Sequence, residues 1–170
     1  MGKEPFALLL PDVLVQHSRG CLAQMIDVAK ALDGNANVVA VEEVPKERVH
    51  MYGVVGVGER KGKLFSVTQM VEKPPREKAP SNLIITGRYI LQPEIFDVLA
   101  AQQRGAGGEI QLTDAMAKMI GKYPFHGLRF EGKRFDCGDK VGFFEANVAY
   151  ALARADLGKD VKAILKAYAS

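Results

Sequence analysis

Apolar positions recur with two different periods along the chain, and the switches between them mark the elements. Phe6 to Leu10 is a continuous apolar run closed by Pro11-Asp12, the pattern of a strand buried on both faces as in parallel sheets. In residues 21–32, Leu22, Met25, Ile26 and Ala29 fall at helical spacing, and Asp33-Gly34-Asn35 ends that helix. Asn37 to Val44 is a second apolar strand, so strand, helix and strand make a βαβ unit, normally right-handed. Tyr52 to Val57 and Lys63 to Val71 read as strands around a hairpin-like loop, Gly58 to Gly62. A polar, proline-rich loop spans Lys73 to Ser81. Leu83 to Leu91 is a further strand. Pro93 then takes the favoured first position of a helix running to about Gln103, and Arg104 to Gly108 reads as a flexible link. Leu112, Ala115, Met116, Met119 and Ile120 line an amphipathic helix. Phe125 to Glu131 alternates as a strand, Phe135 to Asp139 is a tight turn, and a helix follows from about Val141 to Ala153. Leu157, Val161, Ile164, Leu165 and Tyr168 share one face of a last helix, a face expected to pack on its own domain. Strands alternating with helices predict an α/β fold with a mixed sheet.

Length and composition narrow the class. At 170 residues the chain reads as one domain over 1–170, with C-terminal helices at about 140–170. Apolar residues are 48% of it, which permits a sizeable core and excludes wholesale disorder. Twenty-three Lys and Arg against 20 Asp and Glu leave a net charge of +3, too even for the concentrated basic patch of a nucleic-acid binder. Cys21 and Cys137 cannot make a disulfide framework, which fits a reducing compartment. No run of 18 apolar residues occurs, and the N-terminus lacks the apolar stretch of a signal peptide. The expectation is a cytoplasmic domain without nucleic-acid or membrane partners. An α/β nucleotide site ordinarily opens with a strand and a glycine-rich turn leading into a helix. No such segment precedes residue 5, so either the domain is built differently or its beginning has been removed.

Several residues have chemistry to offer. Asp12 follows a strand, where ligands gather in open α/β sheets; it can hold a divalent cation on phosphates or simply cap a turn. Asp136 in Phe-Asp-Cys-Gly-Asp is a candidate second metal ligand, whereas Asp139 reads as the N-cap of the following helix. Glu72 and Lys73 end a strand as an adjacent acid and base. Strand neighbours point to opposite faces, yet a twist at Pro74 lets both reach one ligand, Glu72 accepting from sugar hydroxyls and Lys73 pairing with a phosphate. A solvated surface pair is the plainer alternative. Gly53 and Gly87 are strand glycines of the kind that mark close backbone approach or a bulge. Glu109 can hydrogen-bond a polyol or favour a helix dipole. His17, His50 and His126 have no metal-ligand spacing, and Cys137 beside Asp136 reads as a structural thiol.

The combination of SNLIITGRYIL (81–91), GGEIQLTDA (107–115) and FDCGDK (135–140), with PFALLLPDVLV, YGVVGVGE and MVEKP in order before them, resembles the bacterial UTP–glucose-1-phosphate uridylyltransferases. The resemblance covers nearly the whole chain. It implies a Rossmann-like mixed sheet of the sugar nucleotidylyltransferase type and a reaction that joins glucose 1-phosphate to the α-phosphate of UTP, giving UDP-glucose and pyrophosphate with Mg²⁺. It implies Asp12 and Asp136 as metal ligands, Glu72 on glucose hydroxyls and Lys73 on the sugar phosphate. Gly53, Gly87 and Glu109 become sugar-pocket positions, with Tyr89 nearby. Catalytic weight falls on Lys73, Asp12 and Asp136. Family members also carry an N-terminal strand and a GxGTR-type loop for the nucleotide, which this chain lacks. The chain is therefore expected to correspond to a C-terminal portion, inactive alone, and to form homo-oligomers. Two alternatives remain: a non-catalytic sugar-phosphate-binding or oligomerising fragment, and a related sugar nucleotidylyltransferase using another nucleotide.

Overall fold

The computed structural model describes residues 2–102 and 109–169, so the link expected over Arg104–Gly108 lies outside the described residues. In chain order the elements are β1 (Phe6–Leu9), β2 (Val13–Gln16), α1 (Cys21–Ala31), β3 (Asn37–Glu43), β4 (Gly53–Lys61), β5 (Leu64–Glu72), β6 (Leu83–Leu91), α2 (Ile95–Ala101), α3 (Leu112–Met119), β7 (Phe125–Arg129), β8 (Lys133–Asp136), α4 (Lys140–Ala153) and α5 (Gly158–Tyr168). They gather into two compact units. One holds Met1–Leu9 and Cys21–Glu131, the other Leu10–Gly20 and Gly132–Ser170.

The larger unit is built on a mixed six-stranded sheet of order β1-β6-β3-β7-β5-β4, with an extra pairing of β4 to β6. β6 is buried at all nine positions, with β3 along one edge and β1 and the start of β4 sharing the other. Its largely apolar sequence, broken only at Thr86, Gly87 and Arg88, is the image of that place. β1 and β3 both run antiparallel to β6, so the expected βαβ unit joins two parallel strands through α1 with a third strand between them. The expectation that Phe6–Leu10 is buried on both faces fails. β1 is the end strand, partly covered at Phe6 and Leu8 and open at Ala7 and Leu9. An end strand lacks one neighbour, and a fully apolar run does not reveal that.

The β4–β5 hairpin is tighter than expected. Its strands run on to Lys61 and from Leu64, leaving only Gly62 and Lys63 to turn the chain, with Gly62 at φ +63°. α3 lays Ala115, Met116 and Met119 into a core shared with Val39, Val41, Phe65, Tyr89, Leu91 and Ile95. Each such side chain is worth about 1.5–3 kcal/mol on full burial. Short 3₁₀ turns at Lys46–Met51, a stretch the sequence left unassigned, and at Arg76–Lys78, inside the expected proline-rich loop, complete the connections.

The smaller unit pairs β2 with β8 in antiparallel register, Val13 opposite Asp136 and Leu14 opposite Phe135. The tight turn expected over Phe135–Asp139 is therefore half strand: β8 runs through Asp136 and only then turns. Phe135 is 1% exposed, with the Tyr150 ring 6.0 Å away. Asp139 caps α4 as expected, its Oδ2 accepting from the Gly142 N–H at 3.0 Å. The shared apolar face of α5 is covered less than expected: Val161 and Leu165 are half-buried, while Ile164 and Tyr168 are exposed. Among the described residues no helix is long and apolar enough to cross a membrane.

Candidate functional site

The candidate residues fall into two sets, one in each unit. In the larger unit, β4 opens with Gly53 and β5 closes with Glu72, and these two residues are register partners. The point a Cβ on Gly53 would occupy lies 3.0 Å from Thr113 Oγ1, 3.1 Å from Glu72 Oε2 and 3.2 Å from Ile85 Cδ1. Glycine is what lets these three side chains approach the backbone so closely. Neither the Glu72 carboxylate nor the Lys73 ammonium bonds to another described residue.

Lys73 itself sits at φ +44°, the left-handed region, with its N–H donating to Tyr52 O at 3.0 Å. The strand alternation that would send Glu72 and Lys73 to opposite faces thus stops at Lys73, one residue earlier than the twist expected at Pro74. A non-glycine residue held there costs about 1–2 kcal/mol. Lys73→Gly is expected to be neutral or stabilising by up to about 1 kcal/mol once glycine's own entropy is counted. Lys73→Val, β-branched, is expected to destabilise by at least about 1 kcal/mol. Urea unfolding of the two variants reads the difference; equal losses would show that the backbone at Lys73 is unstrained.

Gly87 lies inside β6 at φ +67°. There Ala40 of β3 faces a stretch of three β6 residues between Ile85 and Tyr89, and Thr86 Oγ1 donates to Ala40 O at 3.0 Å. This is a bulge of the kind a strand glycine signals. Tyr89 is 5% exposed and belongs to the core. Glu109 is exposed, and its Oε2 accepts from Gln111 Nε2 at 3.2 Å just before α3. Thr113 was not singled out by the sequence reading. Its signal was a hydroxyl on the buried side of α3, three residues before Met116.

In the smaller unit, the β2–β8 register and a 2.7 Å bond from Cys137 N–H to Asp12 O bring two acidic residues together. The position of a Cβ on Gly138 would be 3.3 Å from Asp136 Oδ1 and 3.4 Å from Asp12 Oδ2. Asp136 Oδ2 pairs with Arg134 Nη1 at 3.4 Å, leaving Oδ1 to the Asp12 side. Among the described residues no cluster of three or more His, Cys, Asp or Glu could enclose a metal. Two carboxylates converging beside a glycine nevertheless fit Mg²⁺, a hard cation that takes one or two protein carboxylates and completes its shell from water and phosphate oxygens. The thiols offer no competing chemistry. Burial pushes Cys21 up to about 11, with the Arg88 guanidinium opposing it only in part.

The sheet is that of a mixed α/β protein, and similarity to known proteins gives its family. The chain belongs to the nucleotidyl transferase family, whose model matches residues 1–152. A UTP–glucose-1-phosphate uridylyltransferase of Komagataeibacter xylinus is 51% identical over 141 residues, 83% of this chain and 49% of its own length. The corresponding protein of Staphylococcus epidermidis is 45% identical over 166 residues, 98% of this chain and 57% of its own length. The crystal structure of a UDP-glucose pyrophosphorylase complexed with UDP-glucose superimposes with a TM-score of 0.84 at 40% identity, over 91% of this chain and 58% of that one. The chain spans about half the length of the curated relatives it matches.

Proposed function

We propose that the chain supplies the sugar-phosphate and metal-binding part of a UTP–glucose-1-phosphate uridylyltransferase. The observation that carries the reading is the Glu72 carboxylate held beside Gly53 and followed directly by Lys73 in a left-handed turn. Glu72 accepts from glucose hydroxyls, with Gly53, Gly87 and Glu109 at the sugar, and Lys73 pairs with the sugar phosphate. Asp12 and Asp136 would hold Mg²⁺, which would supply positive charge where two anions must meet.

In the reaction a phosphate oxygen of glucose 1-phosphate forms a bond to the α-phosphorus of UTP, and the bond from that phosphorus to pyrophosphate breaks. The attacking group is a phosphate monoester with a second pKa of about 6, already ionised near neutrality. No general base is needed. What the protein must provide is placement and charge stabilisation. That demand matches Lys73, whose ammonium bonds to no other described residue, and two carboxylates, and asks nothing of a thiol or imidazole.

A homo-oligomer is part of the proposal. Its support is that Val141, Phe143 and Phe144 of α4 are more than half exposed, as are Ile164 and Tyr168 of α5. The function is tested by calorimetry of the chain with glucose 1-phosphate, UDP-glucose and UTP, each with Mg²⁺, beside light scattering of the same sample. Binding of the two sugar ligands without turnover, at a mass above that of the monomer, is expected. No binding of either sugar ligand sinks the reading.

A further inference from the structure

We propose that Arg134 is a positioning residue for a divalent cation: it holds the Asp136 carboxylate with Oδ1 turned toward Asp12. The inference rests on the reading of Asp12 and Asp136 as a metal pair and goes one residue beyond it. Strand alternation puts Arg134 and Asp136 on one face of β8 and Lys133 and Phe135 on the other. The two neighbouring basic residues therefore part. Lys133 lies over the Phe135 ring and pairs with Glu145 of α4, both side chains more than half exposed, and such a surface pair is worth little. Arg134 has a side chain only 9% exposed, and its Nη1 meets Asp136 Oδ2 at 3.4 Å.

The backbone brings the two acids together without fixing their side chains. Val13 opposes Asp136 in the β2–β8 register, and the Cys137 N–H donates to Asp12 O at 2.7 Å. Asp136 Oδ1 and Asp12 Oδ2 both face Gly138, 3.3 and 3.4 Å from the position of its Cβ. Two like charges so placed repel, and a carboxylate without support rotates away. Arg134 opposes that rotation by taking Oδ2. A planar guanidinium fixes the orientation of a carboxylate better than an ammonium does, because its donors form a rigid fork. Outer hydrogen-bond partners of ligating carboxylates act in this way, and their loss ordinarily weakens the metal by about ten- to a hundredfold. Charge alone predicts the opposite sign. A guanidinium repels a second cation, so if Arg134 acted only through its charge, removing it would tighten metal binding.

The test is titration of the full chain with Mn²⁺, read from the paramagnetic resonance signal of the free ion. The variants are Arg134→Met, Arg134→Gln, Arg134→Lys, Asp136→Asn and the double change of Arg134→Met with Asp136→Asn. Thermal melting checks that each folds, and Arg134→Gln carries the test if Arg134→Met does not. Both neutral variants are expected to bind Mn²⁺ about tenfold more weakly, or worse. Arg134→Lys, which keeps a donor without the fork, should fall between them and the parent. On Asp136→Asn the Arg134→Met change should cost no further affinity, since it acts through that carboxylate. Unchanged or tighter Mn²⁺ binding in the folded neutral variants would assign Arg134 to packing or charge balance and overturn the proposal. A further loss on Asp136→Asn as large as on the parent would overturn it too. If the parent binds no Mn²⁺, or Asp136→Asn binds it as well as the parent, the metal reading falls and this inference with it.

Discussion

Gly142→Ala is expected to lose about 3 kcal/mol from the smaller unit, at the upper end of overpacking costs. A Cβ at residue 142 would lie 2.0 Å from Asp136 O and 3.0 Å from its carbonyl carbon. Those are backbone atoms, so no rotamer change relieves the clash. The chain between Asp136 and α4 must move instead. That stretch also carries the α4 cap, since the Gly142 N–H is the group bonded to Asp139 Oδ2. Urea unfolding reads the loss. Gly20→Ala in the same unit is the control: nothing lies within 4 Å of its Cβ, and the change should stay within about 0.5 kcal/mol. If the two substitutions cost the same, the close approach at Asp136 is not what holds this turn.

The elements that were legible in the sequence are those with a single strong signal. β6 matched its expected bounds, Leu83–Leu91, because a strand flanked on both edges is largely apolar, broken here only by Thr86, Gly87 and Arg88. α3, α4 and α5 followed their helical spacing to within a residue or two. β1 was misjudged for a physical reason. Its composition reports only that side chains are apolar, while burial depends on whether a strand lies beyond it. The β2–β8 pair was missed because two four-residue strands far apart in sequence leave no local trace. Their pairing is set by tertiary register, not propensity.

The candidate site divides along the same line. Asp12, Asp136, Glu72 and Lys73 were singled out because their residue types and places near strand ends are visible in one dimension. The backbone at Lys73 was not legible: strand alternation sends it opposite Glu72, and the departure from that alternation is one angle, φ +44°, which no composition encodes. The approach of Thr113 to Gly53 was not legible either, since those residues meet only through tertiary packing.

The metal pair gives the other large effect. Asp12→Asn and Asp136→Asn are each expected to weaken Mn²⁺ binding, Mn²⁺ standing in for Mg²⁺ in a spectroscopic titration, by about tenfold or more, since each removes one of only two carboxylates facing Gly138. Their stabilities should diverge. Asp12 forms no side-chain bond to a described residue, so Asp12→Asn removes repulsion between like charges and leaves folding unchanged or slightly strengthened. Asp136 pairs with Arg134, whose side chain is 9% exposed, and Asp136→Asn takes a carboxylate from a buried guanidinium at a cost of about 1–3 kcal/mol. Loss of metal affinity in both variants, with loss of stability in Asp136→Asn alone, separates the two roles. Undiminished Mn²⁺ binding in both would remove the cation from this pair. A stability loss in Asp12→Asn equal to that of Asp136→Asn would mean that the carboxylates are held for the fold rather than for the phosphates.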